Sequence, residues 1–506
     1  MESEGDDVEL ADTLEENGNQ QNSNPNPQEQ ELRKVGYGIF EQMCETEQLE
    51  FLRVILESLN QQQLVKAETM ICSLLQKDFI SLLPAIGLED IAAEILTYLD
   101  SKSLCAAELV SRQWKGLISD SKLWKKQLEQ KVKTDRIWKG LLERRGWMHV
   151  IWQTETENPV LNSEFYRNLF PRVYIHVKKL KQNWINEEPT YKIINCNTNG
   201  ESKGVYCLQY DNSKIISGHR DNTIKVWDTK SLECKQTLTG HTGSILSLQY
   251  EDNVLVTGSS DATVRIWDLS TSSIVTVLNY HTDPVLHVRF IGAILISSSK
   301  DQKIAVWSIN RKSLTASLQT ALIGHRAAVN AVEFDETFIV SASGDRTIKI
   351  WNAKTCEFVK TLKGHTRGVA CIHYRGSLIV SGSSDHTIRL WDVDSGVCLR
   401  VLEGHNELVR CIRFDERKII SGAYDGRIKI WDLQGALNPR VSGNVLCLRT
   451  LWKHTGRVFR LDFDEFQIMS SSHDDLIIIW DFDVQGNPLE EVHEAIENLN
   501  DKMICE

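Results

Sequence analysis

Between residues 35 and 78 apolar side chains recur at helical intervals. They fall at Leu49, Leu52, Ile55, Leu56 and Leu59, then at Leu64, Met70, Ile71, Leu74 and Leu75, which predicts helices with one apolar face. Two short helices have little core of their own, so this face serves either a neighbour within the chain or self-association. Residues 79–126 predict short helices separated by turn signals at Pro84, Asp100-Ser101, Ser111 and Ser119-Asp120. Their apolar positions are Leu83, Ile91, Ile95, Leu96, Leu99, Leu104, Leu109, Val110 and Trp114. That is more than a unit of this size can hide from water, and surplus apolar surface implies a partner. Residues 127–190 continue as helices rich in Trp and Arg, expected to form a stiff spacer. Residues 1–34 are polar and acidic and are expected to be disordered, and the acidic segment 483–506 is expected to fray.

From residue 191 the pattern becomes a repeat of about 40 residues. Seven times a Ser or Thr is followed by an Asp four residues later and a Trp six residues after that. The hydroxyls are Ser217, Thr257, Ser297, Ser341, Ser381, Ser421 and Ser470; the acids are Asp221, Asp261, Asp301, Asp345, Asp385, Asp425 and Asp474. Trp227, Trp267, Trp307, Trp351, Trp391, Trp431 and Trp480 complete the sets. This is the WD40 signature, and its radial repetition over 191–482 predicts a seven-bladed β-propeller. The fold class is therefore α plus all-β and multidomain. A His precedes the first strand of the later repeats, at His241, His281, His325, His365, His405 and His454. In a four-stranded meander its loop and the Asp turn fall at one end of the blade, so His, Asp, hydroxyl and indole N–H can form one buried set. An Asp–His–Ser set resembles a hydrolase triad, but one active site does not need six copies, so no catalysis is expected. The segment YKIINC (191–196) reads as the outer strand of the last blade, pairing chain start with chain end to close the ring.

Charge and composition narrow the picture. The net charge is −12, which argues against nucleic acid as a ligand. No apolar run is long enough for a membrane span, and the acidic start MESEGDDVEL lacks the features of a signal peptide. The twelve cysteines show no metal-ligand spacing, so a cytoplasmic and nuclear chain with reduced thiols, and with no metal or cofactor, is expected.

What differs between repeats marks the ligand-reading positions. Before each Asp stand Arg220, Ser260, Lys300, Gly344, Ser384, Tyr424 and His473. Three residues after each His, or its equivalent in the first repeat, stand Gly204, Ser244, Pro284, Ala328, Gly368, Leu408 and Arg457. Five after stand Tyr206, Leu246, Leu286, Asn330, Ala370, Arg410 and Phe459. None of these is acidic and four are Lys or Arg; Arg367 adds a fifth cation beside Gly368, although Asp283 and Glu407 stand close by. Cations spread round a ring, with hydroxyls between them, suit a ligand carrying more than one phosphate.

Two resemblances follow. The Leu83-Pro84 start, the stretch EILTYLD and LVSRQWKGL followed by LW make residues 79–126 resemble an F-box. With segments such as SGHRDNTIKVWD, GHNELVRCIRFD and SGAYDGRIKIWD, the chain over about 35–482 resembles the β-TrCP/Slimb family of substrate receptors of SCF ubiquitin ligases. That resemblance implies an F-box docked on a Skp-type adaptor, which links to a cullin and a RING subunit. The adaptor contacts would come from Leu83, Pro84, Ile91, Ile95, Leu96, Leu99, Leu104, Val110 and Trp114. It implies a propeller that binds a degron of the form Asp-pSer-Gly-x-x-pSer, as in the family's substrates β-catenin and IκB. The contacts would be Tyr206, Arg220, Ser244, Ser260, Leu286, Lys300, Asn330, Arg367, Gly368, Ala370, Ser384, Leu408, Arg410, Tyr424 and Arg457. It also implies a homodimer through 35–78, with Leu49, Leu52, Ile55, Leu56 and Leu59 at the contact. A phosphopeptide-binding scaffold outside any ligase is the alternative. His219, where the family has an apolar residue, and the stretch Asn310–Thr320 depart from the pattern.

Overall fold

Each repeat folds as the periodicity predicts, into an antiparallel sheet of four strands, and seven such sheets form the repeat region. The computed structural model describes residues 27–75, 78–120, 122–152, 163–197 and 204–483. The expected tails 1–26 and 484–506 lie outside them. Two units of packing are present: residues up to 96 together with 109–117, and residues 97–108 together with 118 onward.

The first unit is helical. Its first helix runs Pro27–Gln42, so the part of the expected tail from residue 27 onward is helical instead. Pro at the first helical position followed by Gln, Glu and Leu explains this, because each suits a helix start or interior. Helices Glu45–Ser58 and Gln61–Leu75 follow. The second of these begins in a reciprocal cap: Asn60 Oδ1 accepts from the Gln63 N–H at 2.9 Å, and Gln63 Oε1 accepts from the Asn60 N–H at 3.1 Å. Glu45–Ser58 buries none of its residues. Leu49, Leu52 and Ile55 are exposed, and Leu56 and Leu59 are half-buried.

The second unit carries helices Leu123–Thr134, Arg136–Arg144 and Ser163–Asn186 before the sheets. Their aromatics form a core, with the Trp124 and Trp138 rings 5.2 and 5.1 Å from Phe170. The long helix is fastened to the last blade. Trp184 stacks on Phe482 at 3.8 Å and donates its indole N–H to the Glu465 carbonyl at 2.9 Å. Asn183 donates to the Phe482 carbonyl at 2.9 Å, and His176 meets Asp483 at 2.8 Å.

Ring closure occurs where the sequence placed it. Strand Thr190–Asn195 pairs antiparallel with Leu476–Asp481, setting Ile193 opposite Ile478. The last sheet thus takes its outer strand from the start of the propeller and its other three from the end. The second strands are buried at all but their first residue, and Val254–Ser259 at every residue, as their β-branched, small-residue sequences allow. In blades two to seven the shared residues meet. His Nδ1 lies 2.7–3.1 Å from the Asp carboxylate. His Nε2 lies 2.8–2.9 Å from the Ser or Thr hydroxyl. The Trp indole donates to that same hydroxyl at 2.8–3.0 Å. The oxygens are buried, so removing one strands an imidazole and an indole in the interior.

Burial holds His241, His281, His325, His365 and His405 below the usual imidazole range, against the pull of the partner carboxylates. Burial alone would raise the Asp261 pKa, but hydrogen bonds from Thr263 and His241 carry it down to about 2. These groups are therefore neutral imidazoles and ionised carboxylates near pH 7, which is a structural arrangement.

Candidate binding face of the propeller

The loops carrying the variable positions are joined within each blade by one backbone hydrogen bond. The N–H of the residue before the Asp donates to the carbonyl of the residue three after the His. The seven pairs are Arg220 to Gly204, Ser260 to Ser244, Lys300 to Pro284, Gly344 to Ala328, Ser384 to Gly368, Tyr424 to Leu408 and His473 to Arg457, at 2.9–3.2 Å. The first two sets of variable positions therefore share one end of every blade.

The third set lies on the innermost strands, and the structure explains its position. Each inner strand shifts register once: between Val205 and Cys207, Ile245 and Ser247, Val285 and His287, and Val329 and Ala331 in blades one to four. The shifts in blades five to seven fall between Val369 and Cys371, Val409 and Cys411, and Val458 and Arg460. The residue skipped is Tyr206, Leu246, Leu286, Asn330, Ala370, Arg410 or Phe459. A bulge residue has no partner in the ladder and its side chain is re-aimed. Sequence comparison among the repeats identified these positions as variable; the bulge is why they are free to vary.

Arg220, Lys300, Arg367 and Arg457 are exposed. Arg410 is half-buried and donates to the Ala370 carbonyl at 3.4 Å. The Arg457 guanidinium lies over the Tyr424 ring, 4.9 Å from its centroid. Phe459 links three of these side chains from below: its ring is 4.8 Å from Tyr206, 5.9 Å from Tyr424 and 6.0 Å from His473. Phe459 is 8% exposed, so it acts as a floor for the aromatic group that carries Arg457. It stood among the variable positions but not among the expected contacts, and its period alone does not distinguish a floor from a wall.

Several expected contacts already have partners. The Ser244 hydroxyl donates to the Arg220 carbonyl at 2.9 Å, which fixes the backbone beneath that cation. Asn330 Nδ2 donates to the Val369 carbonyl at 2.8 Å, leaving its amide oxygen for a donor. Ala370 is buried. Gly368 provides space: a Cβ there would sit 3.1 Å from the Gly344 Cα of the neighbouring blade. Leu286, Ser260, Ser384 and Leu408 are half-buried at the same face.

The expected adaptor residues divide by burial. In the first unit, Ile91, Ile95 and Val110 are 47, 46 and 61% exposed. Leu83, Pro84 and Trp114 are half-buried, and the Trp114 indole donates to Asp78 Oδ2 at 2.8 Å. Leu96 is buried. In the second unit Leu104 is buried and Leu99 half-buried, and Glu108 accepts from Arg167 at 2.8 Å and from the Trp124 indole at 3.1 Å. Leu96 and Leu104 thus pack the chain's own interior, while Ile91, Ile95 and Val110 of the first unit are open to solvent.

An F-box-like family model matches residues 89–130. A WD domain, G-beta repeat model matches 193–228, 232–268, 316–352, 356–392, 396–432 and 445–481. The chain is an F-box/WD-repeat protein. It is 53% identical over 206 residues to F-box and WD repeat domain-containing 11-A of Danio rerio. It is 50% identical over 222 residues to F-box/WD repeat-containing protein lin-23 of Caenorhabditis elegans. It is 29% identical over 175 residues to Probable E3 ubiquitin ligase complex SCF subunit sconB of Arthroderma benhamiae. These matches take in 41, 40 and 33% of the chain and 36, 32 and 25% of the relatives, so the chain spans about a third or less of their length.

Residues 269–315 of this F-box/WD-repeat protein fall between the repeat matches, yet they hold three strands of a complete blade. Its sheet comprises Val285–Ile291, Ile294–Ser299, Ile304–Asn310 and Thr315–Leu322. Tyr280 and Ser298 stand where most other repeats have Gly, and Ser308 follows the Trp where most have Asp. His281, Ser297, Asp301 and Trp307 nevertheless keep the shared bonds. The departure at Asn310–Thr320 is the hairpin of this blade's two outer strands, the last of which is eight residues long.

Proposed function

We propose that this F-box/WD-repeat protein is the substrate-recognition subunit of an SCF ubiquitin ligase, and that its propeller binds a doubly phosphorylated degron of the Asp-pSer-Gly-x-x-pSer type. The observation that carries this reading is the grouping of Arg220, Lys300, Arg367, Arg410 and Arg457 on one end of the ring, with polar side chains between them and no carboxylate among the bulge positions. A phosphoserine carries about −1.5 to −2 charges near pH 7 and accepts several charge-assisted bonds from guanidinium and ammonium groups. An unphosphorylated serine offers neither, so phosphorylation acts as the switch.

The exposed apolar residues of the F-box dock on a Skp-type adaptor, which brings cullin and RING subunits, and the receptor supplies proximity instead of covalent chemistry. The relative sconB, named as an SCF subunit, supports this. The open face of Glu45–Ser58 pairs with a second copy, and the protein works in cytoplasm and nucleus. The test is affinity capture with and without phosphatase treatment, followed by identification of bound proteins. The proposal expects adaptor and cullin in both samples and substrates only in the untreated one. Phosphopeptide binding without any adaptor would favour a scaffold outside the ligase.

A further inference from the structure

Below the binding face, the innermost strands carry side chains that lace each blade to the next across the central channel. Gln209 bonds both backbone groups of Tyr250, at 2.7 and 3.0 Å, and Gln249 does the same to Phe290, at 2.7 and 2.6 Å. His373 Nδ1 accepts from the Phe414 N–H at 3.1 Å. The equivalent positions in blades three, four, six and seven are charged: Arg289, Glu333, Arg413 and Asp462. Arg460, two residues before Asp462, adds another cation, and Arg410 stands above it on the same end of the channel as the bulges.

The charges do not balance. Glu333 takes both Arg289, at 2.5 Å, and Arg413, at 3.1 Å. Asp462 is 3.9 Å from Arg413. Among the described residues no carboxylate ion pair reaches Arg460; its bond is to His287 Nε2, at 3.2 Å. His287 Nδ1 also faces the Val332 N–H at 3.5 Å. A neutral imidazole has one acceptor nitrogen, so whichever tautomer is present, one of these two donors lacks an acceptor. The imidazole stays neutral because burial and the surrounding guanidiniums hold its pKa well below the usual range. Burial and Arg413 likewise lower Arg460 to about 10. Arg460 is half-buried, and a cation drawn part-way out of water is costly unless acceptors are supplied.

The space for such a group exists. A cavity of about 430 Å³ is lined by Arg289, Arg413, Arg460 and His373, and also by the carboxylates Asp415, Asp462, Asp464 and Glu465. Three of these carboxylates are already engaged: Asp462 accepts from the Phe463 N–H at 3.1 Å and lies 3.9 Å from Arg413. Asp415 accepts from Lys418 Nζ at 2.7 Å and from two backbone N–H groups, and Asp464 accepts from the Phe466 and Gln467 N–H groups. Glu465 lines the same cavity, and burial raises its pKa.

We infer that the channel is a second anion site, distinct from the ring-top face, where Arg460 and Arg289, with Arg413, hold a small phosphate-class oxyanion. Guanidinium forks match phosphate oxygens in pairs, and a multivalent oxyanion supplies both the missing charge and the missing acceptors. Such a ligand ties blades three, six and seven together across the ring, so it raises stability by mass action.

The test is calorimetric titration of the full chain with pyrophosphate at constant ionic strength, with sulfate as comparison, paired with thermal unfolding. Wild type should bind pyrophosphate and its Tm should rise. Arg460→Met should weaken binding by about tenfold or more, as expected for a lost charge-assisted pair. Arg220→Ala removes at most a ring-top share of the binding and should leave the Arg460-dependent share and the rise in Tm in place. Should R460M not fold, R289M reads the same site, because Glu333 keeps Arg413. No binding by wild type, or binding lost in R220A and retained in R460M or R289M, overturns the inference.

Discussion

The Ser217 hydroxyl meets Nε2 of His219 at 2.7 Å, and it does so in the one blade whose first strand is preceded by no histidine. Elsewhere that hydroxyl meets a histidine from the preceding loop, sixteen residues earlier. In blade one the imidazole comes from the same strand, two residues on, while Trp227 donates to the hydroxyl at 2.8 Å as in every other blade. His219 replaces the missing loop residue, which accounts for its presence where an apolar side chain would otherwise stand. Among the described residues it has no Asp hydrogen-bonded to it, and its Nδ1 is buried without a hydrogen bond.

This difference predicts a pH response. Burial lowers His219 to about 4, with Lys225 adding to the effect, against about 6.5 in an unfolded chain. The unfolded state binds the extra proton first, so this contribution is complete above about pH 6.5 and is lost as pH falls toward 4. It amounts to about 2 kcal/mol lost on going from pH 7.5 to pH 5. The lowered loop histidines act in the same direction. Denaturant unfolding at the two pH values should show a smaller difference for His219→Leu than for wild type.

Blade three should be as dependent on its hydroxyl as the blades with ordinary repeat sequence. Ser297→Ala and Ser341→Ala each leave a buried imidazole and indole without their shared oxygen. Each should cost about 1–3 kcal/mol. Matching losses in equilibrium unfolding would show that geometry, not consensus sequence, defines the blade. A neutral S297A would contradict this.

At the binding face, Arg220→Ala and Arg410→Ala should each weaken a doubly phosphorylated degron peptide by roughly 1.5–3 kcal/mol, about 10- to 100-fold. Phe459→Leu removes no charge, yet it withdraws the floor from Tyr206 and Tyr424, and it should weaken the same peptide. Fluorescence anisotropy reads all three. Equal wild-type affinity for phosphorylated and unphosphorylated peptide would sink the phosphodegron reading.

Adjacent F-box residues should separate docking from folding. Ile95 is 46% exposed and Leu96 is 1% exposed. Ile95→Asp should abolish adaptor capture with little change in Tm. Leu96→Ala should cost about 2–5 kcal/mol of stability, the usual range for a buried Leu. Stoichiometric copurification of Ile95→Asp with cullin would show that the docking face lies elsewhere.

Self-association is tested by light scattering. Leu52 and Ile55 are exposed on a helix that buries nothing. Changing both to Glu should turn a dimer into a monomer without altering phosphopeptide affinity. A monomeric wild type at micromolar concentration would remove the dimer proposal.

Much of the architecture was legible because it repeats. The spacing from Ser217 to Asp221 to Trp227 recurs in every blade and specifies strand order and the paired loops without a structure, and the segment 191–196 reads as the closing strand, which the structure places at Thr190–Asn195. The helix beginning at Pro27 is not legible in the sequence because a polar, Asn- and Gln-rich composition masks a good helix start. Leu96 and Leu104 were grouped with Ile91, Ile95 and Val110 because hydrophobicity alone does not tell which face of a short helix is covered.

The sequence by itself determined seven blades, their shared hydrogen-bonded sets and the positions at which blades differ, because each of these depends on spacing along the chain. Only the tertiary structure decided which of those positions are free. The inner-strand bulges that lift Tyr206 and Arg410 out of the ladder, the floor that Phe459 makes for side chains from blades one and six, and the Arg460 cation left over in the channel all arise where blades meet. Those contacts join residues from separate blades, and no local period encodes which of them come together across the ring.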